Sequence, residues 1–126
     1  MTENEKDIIV KYVNAYNNFD VAGMTENLAS RVVFQNISDG ETNMKIEGIE
    51  AFKNQAEAAL QYFEQRQQKI ESWTSTESSI TIHIRYKAIA AIDFPNGLKK
   101  GDSLEMEGQS TFEFHDQKII SITDKS

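Results

Sequence analysis

The sequence predicts one α+β domain in which helices cover one face of a mostly antiparallel sheet. In its first half apolar residues recur at helical spacing, whereas the second half alternates apolar and polar residues over long stretches. Helices gathered early and antiparallel strands gathered late indicate a sheet with helices on one face. The chain has 126 residues, 39% of them hydrophobic and 26% charged, which suits a single domain spanning residues 1–126 with one hydrophobic core.

Two helices are predicted at the start of the chain. Residues 4–19 carry apolar side chains along one helical face, and Asn4 is a candidate cap for this helix: the face consists of Ile9, Tyr12, Val13, Tyr16 and Phe19. Asp20 is placed to cap a second, shorter helix that carries Val21, Met24 and Leu28 inward. The two helices therefore form a helical hairpin.

A short strand and a longer helix are predicted next. Residues 31–36 form the strand, around Val32, Val33 and Phe34, and a loop follows it with Asp39-Gly40 as its turn. A third helix is expected from about residue 49 to residue 65, after Gly48. Its apolar residues fall on one broad face, which predicts packing against a sheet.

The second half reads as strands. Residues 68–76 form one strand, residues 80–94 a second, residues 103–115 a third and residues 118–124 a last one. In the second strand Ile80, Ile82 and Ile84 share one face, while His83 and Arg85 share the other. We therefore expect the isoleucines to face the helices and the charged residues to face away from them.

Composition excludes several classes of function. The net charge is −7 and the 13 basic residues are scattered, so neither nucleic acid nor an anionic membrane is an expected partner. There is no cysteine, no histidine pattern typical of a metal site and no glycine-rich phosphate loop, so no metal and no cofactor is expected. With no signal peptide or membrane span in view, the cytoplasm is the expected location.

Several stretches, in this order and spacing, resemble the nuclear transport factor 2-like superfamily and, within it, the SnoaL-like group. These stretches are residues 12–20, Val33-Phe34, residues 48–52 and residues 112–120. The resemblance implies a cystatin-like, cone-shaped, curved sheet wrapped around a long helix, with two N-terminal helices and a pocket at the open end. It also implies a homodimer formed through the outer sheet face. Relatives include both enzymes and binding modules, so the fold alone does not give the function.

The resemblance extends to ketosteroid isomerases, which use a tyrosine, a proton-shuttling carboxylate and a protonated aspartic acid. The match puts Tyr12 on the tyrosine, Asn36 where the shuttling carboxylate should be and Ser110 where the aspartic acid should be. An asparagine amide cannot act as a general base near neutral pH. Isomerase chemistry by that route is therefore not expected.

Two other carboxylates could replace the missing base. Asp39 lies in the loop after the first strand, although a turn former before Gly40 is the simpler reading. Asp93 lies between Ile92 and Phe94, where burial would raise its pKa, but it also directly precedes a predicted hairpin loop.

The first of three functional hypotheses is a pocket for a small, largely apolar molecule, because aromatic residues are plentiful on the predicted helices and strands. The residues expected to line it are Tyr12, Tyr16, Phe34, Asn36, Phe52, Phe63, Trp73, Asp93, Ser110 and Phe112. The second is an acid–base enzyme of the cyclase, isomerase or dehydratase type that uses Asp93 or a loop carboxylate. The third is a non-catalytic dimeric interaction module. A pocket carboxylic acid with a raised pKa would favour the second hypothesis.

Overall fold

The computed structural model describes residues 1–126 and has three helices and six strands. In chain order these are α1 (Glu3–Asn17), α2 (Val21–Thr25), β1 (Leu28–Ser38), β2 (Glu41–Glu47), α3 (Ile49–Ala59), β3 (Phe63–Ser75), β4 (Ser79–Ala90), β5 (Ser103–His115) and β6 (Lys118–Lys125). The strands form one curled sheet in the order β2-β1-β6-β5-β4-β3. Only the β1–β6 pair is parallel. The predicted α+β class is confirmed.

Helix α1 supplies most of the helical part of the core. Its residues Ile8, Ile9, Tyr12 and Val13 are buried against the inward side chains of the sheet. The helix is capped by Thr2 rather than by Asn4: the Thr2 hydroxyl accepts from the Glu5 amide, and the Glu5 carboxylate accepts from the Thr2 amide. Asn4 was the wrong choice because the helix begins at Glu3, which puts its cap at Thr2, two residues before Asn4.

The predicted cap of α2 is confirmed. The Asp20 carboxylate accepts a hydrogen bond of 3.0 Å from the Gly23 amide at the start of this helix. The end of α1 is tied to the sheet at Asn17, whose side chain donates to the Gln68 carbonyl and accepts from the Gln68 amide. The end of α1 is therefore held against strand β3.

Several elements differ in their bounds from the sequence prediction: Leu28 begins β1 rather than lying on α2, and β4 ends at Ala90 rather than at residue 94. The segment after Asp39-Gly40 is not a loop but the edge strand β2, which pairs antiparallel with β1. Helix α3 ends at Ala59 rather than near residue 65, and strand β3 begins at Phe63. The chain turns between them and the Tyr62 carbonyl accepts from the Ala91 amide, so Tyr62 already pairs beside the end of β4.

The predicted inward and outward faces of β4 are confirmed. Ile80, Ile82 and Ile84 are buried, whereas His83 is exposed on the opposite face. On that outer face Arg85 donates hydrogen bonds to the carboxylates of Glu71 and Glu107. The apolar face of β4 is therefore the one that packs towards the helices. None of the three helices has the length and hydropathy that a membrane-spanning segment requires.

Candidate functional site

A cavity of about 330 Å³ lies between the helices and the concave face of the sheet. Ten of its fifteen lining residues are apolar or aromatic, contributed by α1, α2, α3, β1 and β2 and by the turn before β3. The Phe34 and Phe52 rings meet on its wall in an edge-to-face contact, with ring centroids 5.8 Å apart. Such a mainly apolar hollow with a few polar groups is typical of a small-molecule site.

Six of the ten residues proposed for the pocket lie on this cavity or on the one beside it. Tyr12, Tyr16, Phe34, Asn36 and Phe52 line the first cavity. Ser110 lines an adjoining cavity of about 300 Å³, which shares Tyr16, Asn36, Gln68 and Asp124 with the first. The two hollows therefore meet at a polar junction.

Three aromatic residues proposed for the pocket lie elsewhere. Phe112 is fully buried behind Tyr12, whose ring covers it in an edge contact at 5.6 Å. Trp73 packs against the core beyond the bulge in β3, with the Lys6 ammonium over its ring. Phe63 begins β3 instead of continuing α3, and it stacks on Phe94 away from the cavity.

Asp93 does not line either cavity, so its place in the predicted pocket is wrong. Strand β4 ends at Ala90, and Asp93 is exposed in the loop that follows it. Its carboxylate accepts a hydrogen bond of 2.9 Å from the Lys100 amide, which closes this loop. Asp39 likewise occupies a turn: it is exposed and adopts a positive φ of 53° before Gly40.

The carboxyl group of the cavity belongs instead to Asp124 on β6. It is the one acidic residue on the wall of the first cavity, and it also lines the second. Ser110, its partner across the β5–β6 pair, donates to Oδ1 of Asp124 over 2.6 Å. Burial raises the pKa of Asp124 to about 6, and the hydrogen bond from Ser110 offsets part of this shift.

Two tyrosines of α1 stand near this carboxyl group. Burial, followed by the charge of Asp124, raises the pKa of Tyr12 well above its ordinary value. Burial also raises the pKa of Tyr16, whose hydroxyl is 2.9 Å from the hydroxyl of Tyr86. Both phenols therefore stay protonated at neutral pH and can donate hydrogen bonds.

Arg66 is the one positively charged residue on the wall of the first cavity. Its Nε donates to the Tyr16 carbonyl at 2.8 Å, and its guanidinium lies over the Tyr16 ring at 3.8 Å from the ring centroid. Only 6% of the residue is exposed. Its Nη2 is buried and has no hydrogen-bond partner.

Asp124 and Arg66 were both missed by the sequence prediction, although each left a signal. In β6 the alternation Ile122-Thr123-Asp124 puts the aspartate on the face of the fully buried Ile122. In β3, Arg66, Gln68 and Ile70 alternate inward, but this pattern is visible only when β3 is known to begin at Phe63. Assigning residues 49–65 to a helix concealed it.

The wall of the cavity carries no cluster of side chains that could bind a metal ion. No group of three or more histidine, aspartate or glutamate side chains stands close enough together to hold a metal ion. The polar groups on its wall are instead one carboxyl, one guanidinium, hydroxyls and amides. This set can bind and move protons on a substrate.

Solved structures of several proteins share this fold. A candidate polyketide cyclase from Xanthomonas campestris superposes with a TM-score of 0.81 and 16% identity, covering 98% of this chain and 90% of its own. A protein of ketosteroid isomerase-like fold from Catenulispora acidiphila, solved with trimethylamine, has a TM-score of 0.76 and 13% identity, covering 93% and 82%. An LEH-like epoxide hydrolase from M. tuberculosis has a TM-score of 0.78 and 15% identity, covering 98% of this chain and 83% of its own. At these identities the likeness establishes the fold alone.

The sequence comparisons give the family. No curated protein matches this sequence significantly. The family model of the SnoaL-like domain matches residues 9–122, a span that includes α2, α3, strands β1 to β5 and most of α1 and β6. This chain therefore belongs to the SnoaL-like domain family, within the nuclear transport factor 2-like superfamily.

Proposed function

We propose that this protein binds a small, largely apolar molecule in the first cavity and moves a proton on it with Asp124. The observation that carries the proposal is the position of this carboxyl group, the one acid on an otherwise mainly apolar wall. Names of structural neighbours, which include a candidate polyketide cyclase and an LEH-like epoxide hydrolase, agree with chemistry in a cavity of this kind. The proposal does not depend on them.

The raised pKa of Asp124 suits this group to proton transfer near neutral pH. Burial raises its pKa to about 6, so at neutral pH the group is mainly ionised yet remains a much stronger base than an ordinary aspartate. A desolvated carboxylate with few hydrogen bonds accepts a proton readily, and here Ser110 is its hydrogen-bond donor. The proton that it takes from one substrate atom can then be returned to another.

Tyr12 supplies the complementary group. Its buried hydroxyl stays protonated, so it can donate a hydrogen bond to a substrate oxygen that gains negative charge when Asp124 removes a proton. Asn36, which lines both cavities, lies at the junction beside Asp124, where its amide could orient the same substrate. In this arrangement Asn36 positions the substrate and Asp124 carries the proton.

The test uses nitrobenzisoxazole, a neutral aromatic compound whose ring C–H proton is removed by a base. As the proton leaves carbon, the N–O bond breaks and its electron pair goes to oxygen, which gives a coloured cyanophenolate and a protonated Asp124. We expect the rate to rise with pH through about 6 and then level off, following ionisation of Asp124.

The matched controls are two asparagine variants. Asp124→Asn removes the base with little change of shape, and its rate should fall to the background rate of the buffer. Asp93→Asn makes the same chemical change in an exposed loop and should leave the rate unchanged. If Asp124→Asn retains the wild-type rate and pH profile, proton transfer by Asp124 is contradicted.

A further inference from the structure

The second charged group of the first cavity, Arg66, has no counterion in the protein. The ion pairs of the structure involve Lys45, Arg85 and His115, and none of them includes Arg66. A guanidinium stays charged under all ordinary conditions, and a buried charge without an opposite charge is strongly disfavoured. Only 6% of Arg66 is exposed, so little of its surface reaches bulk water.

The position of the Arg66 guanidinium is explained in part by its contacts with the end of α1. Helix α1 has no basic residue of its own in its last turn, and the Nε of Arg66 donates to the Tyr16 carbonyl there, where a positive charge is favourable. The planar group also stacks on the rings of Tyr16 and Phe19, at 3.8 Å and 4.6 Å from their centroids. These contacts use one edge and the face of the guanidinium.

The remaining edge is unexplained by the fold. Nη2 is the one buried side-chain nitrogen or oxygen atom in the structure without a hydrogen-bond partner. Leaving such a donor unpaired is unfavourable, more so for a charged group. The residue that carries it forms part of the cavity wall, beside Tyr16, Tyr62 and Gln68.

From a guanidinium without a counterion on the wall of a mainly apolar cavity, we infer that the natural ligand is a small apolar molecule that carries a carboxylate, and that this carboxylate pairs with Arg66. A carbonyl oxygen could accept a hydrogen bond from Arg66 but would leave its charge uncompensated, whereas a carboxylate accepts hydrogen bonds and also neutralises the charge. This inference rests on the proposed function, because it names the ligand class of the same cavity.

The two charged residues also give the ligand a direction. Arg66 lies on β3 and Asp124 on β6, three strands away in the sheet order. Neighbouring strands are about 4.8 Å apart, so the two positions are separated by roughly 14 Å measured along the curled sheet. The carboxylate would therefore bind at the β3 wall of the cavity, and the atom that exchanges its proton with Asp124 would face the β6 wall.

The experiment compares naphthoate with naphthamide, which have the same shape and differ in charge. Binding of each is measured at pH 7 by calorimetry and by amide chemical shifts in NMR spectra. We expect naphthoate to bind at least about tenfold more tightly than naphthamide, because only naphthoate neutralises Arg66. Both compounds should shift the amide signals of Phe34 and Phe52.

Two variants test whether Arg66 causes the preference for naphthoate over naphthamide. Arg66→Met should bring the two affinities within about twofold of each other, whereas Arg85→Met, which removes an arginine from the outer face, should leave the preference intact. Since Arg66→Met also loses the contact with α1, a second measurement is made on the wild-type protein. The side-chain nitrogen signals of Arg66 should shift on addition of naphthoate and not of naphthamide.

The outcomes separate this inference from the proposed function. If both compounds bind in the cavity with equal affinity, or naphthoate binds without moving the Arg66 signals, the carboxylate preference is overturned while the apolar pocket stands. If neither compound shifts the signals of Phe34 and Phe52, the apolar pocket itself is contradicted, and the inference falls with it.

Discussion

Ser110 and Asp124 face each other across the β5–β6 pair, and the Ser110 hydroxyl donates to the Asp124 carboxylate over 2.6 Å. This hydrogen bond stabilises the ionised form of Asp124 and opposes the effect of burial on its pKa. Ser110 therefore sets how basic the cavity carboxylate is, even though it is not itself an acid. Ser110 stands where the resemblance to isomerases implies an aspartic acid. Instead of being that acid, it lowers the pKa of Asp124 on the neighbouring strand.

Ser110→Ala should raise the pKa of Asp124 above about 6, because the carboxylate loses its hydrogen-bond donor and becomes easier to protonate. The measurement is the carboxyl carbon chemical shift of Asp124 as a function of pH. Ser121→Ala is the matched control, since the Ser121 hydroxyl donates to the exposed Glu113 on the outer face. A pKa of Asp124 that stays the same or falls in Ser110→Ala would contradict this role.

Asp124 should also make the folded state less stable as the pH rises. Its pKa is raised from 3.8 to about 6 on folding, so the protonated folded state is favoured below about pH 4 and this stability is lost through about pH 6. The loss amounts to about 3 kcal/mol in the free energy of unfolding. Urea unfolding at several pH values measures it.

The control for this stability effect is Asp124→Asn, which keeps the shape and cannot ionise. We expect it to remove the decline between pH 4 and pH 7, and to be more stable than the wild type at pH 8. A variant that is less stable than the wild type at pH 8 would show that the ionised carboxylate stabilises the fold, against this prediction.

Gly108 allows the end of β6 to approach β5 closely, because it has no Cβ atom. A Cβ atom added at Gly108 would lie 2.8 Å from the Lys125 carbonyl oxygen, which is closer than such atoms come in real structures. Gly108→Ala should therefore lower the free energy of unfolding by about 1–3 kcal/mol and displace the strand next to Asp124. Thermal unfolding checks this, with the exposed Ser103→Ala on the same strand as the control. Equal stability of the two variants would argue against the contact.

The homodimer expected through the outer sheet face remains a prediction, and Arg85 offers a way to test it. Arg85 lies among the carboxylates of Glu71, Glu105 and Glu107 on that face. Arg85→Glu would gather four acidic groups there, so light scattering should report a dimer for the wild type and a monomer for the variant. Wild-type protein that stays monomeric at high concentration would contradict the dimer.

Most of the fold could be predicted because a long strand with one buried face has apolar residues at every second position. The alternation of Ile80, Ile82 and Ile84 gave the inward face of β4 correctly. Strand β2 was missed because it is an edge strand and most of its residues are polar. Only Met44 and Ile46 indicate an inward face. Its pairing depends on β1, which a local pattern does not show.

The candidate site was harder to predict because its charged groups are single residues with no motif around them. Asp93 looked promising because apolar residues flank it in sequence, yet the strand ends at Ala90 and leaves it exposed. Asp124 has Thr123 and Lys125 beside it, and its burial comes from tertiary contacts across the sheet. Apolar neighbours in the sequence therefore indicate that a residue is buried only where the strand continues through them.

Strand β6 lies between β1 and β5, in the interior of the sheet, although it is the last of the six strands to leave the ribosome. Until it inserts, the β3–β4–β5 meander and the β1–β2 hairpin have no backbone hydrogen bonds joining them, and both flanks present open edges. Nascent chains that lack β6 should therefore rely on chaperones to prevent aggregation. Because β6 also carries Asp124, the carboxyl group enters the first cavity only when this last strand inserts.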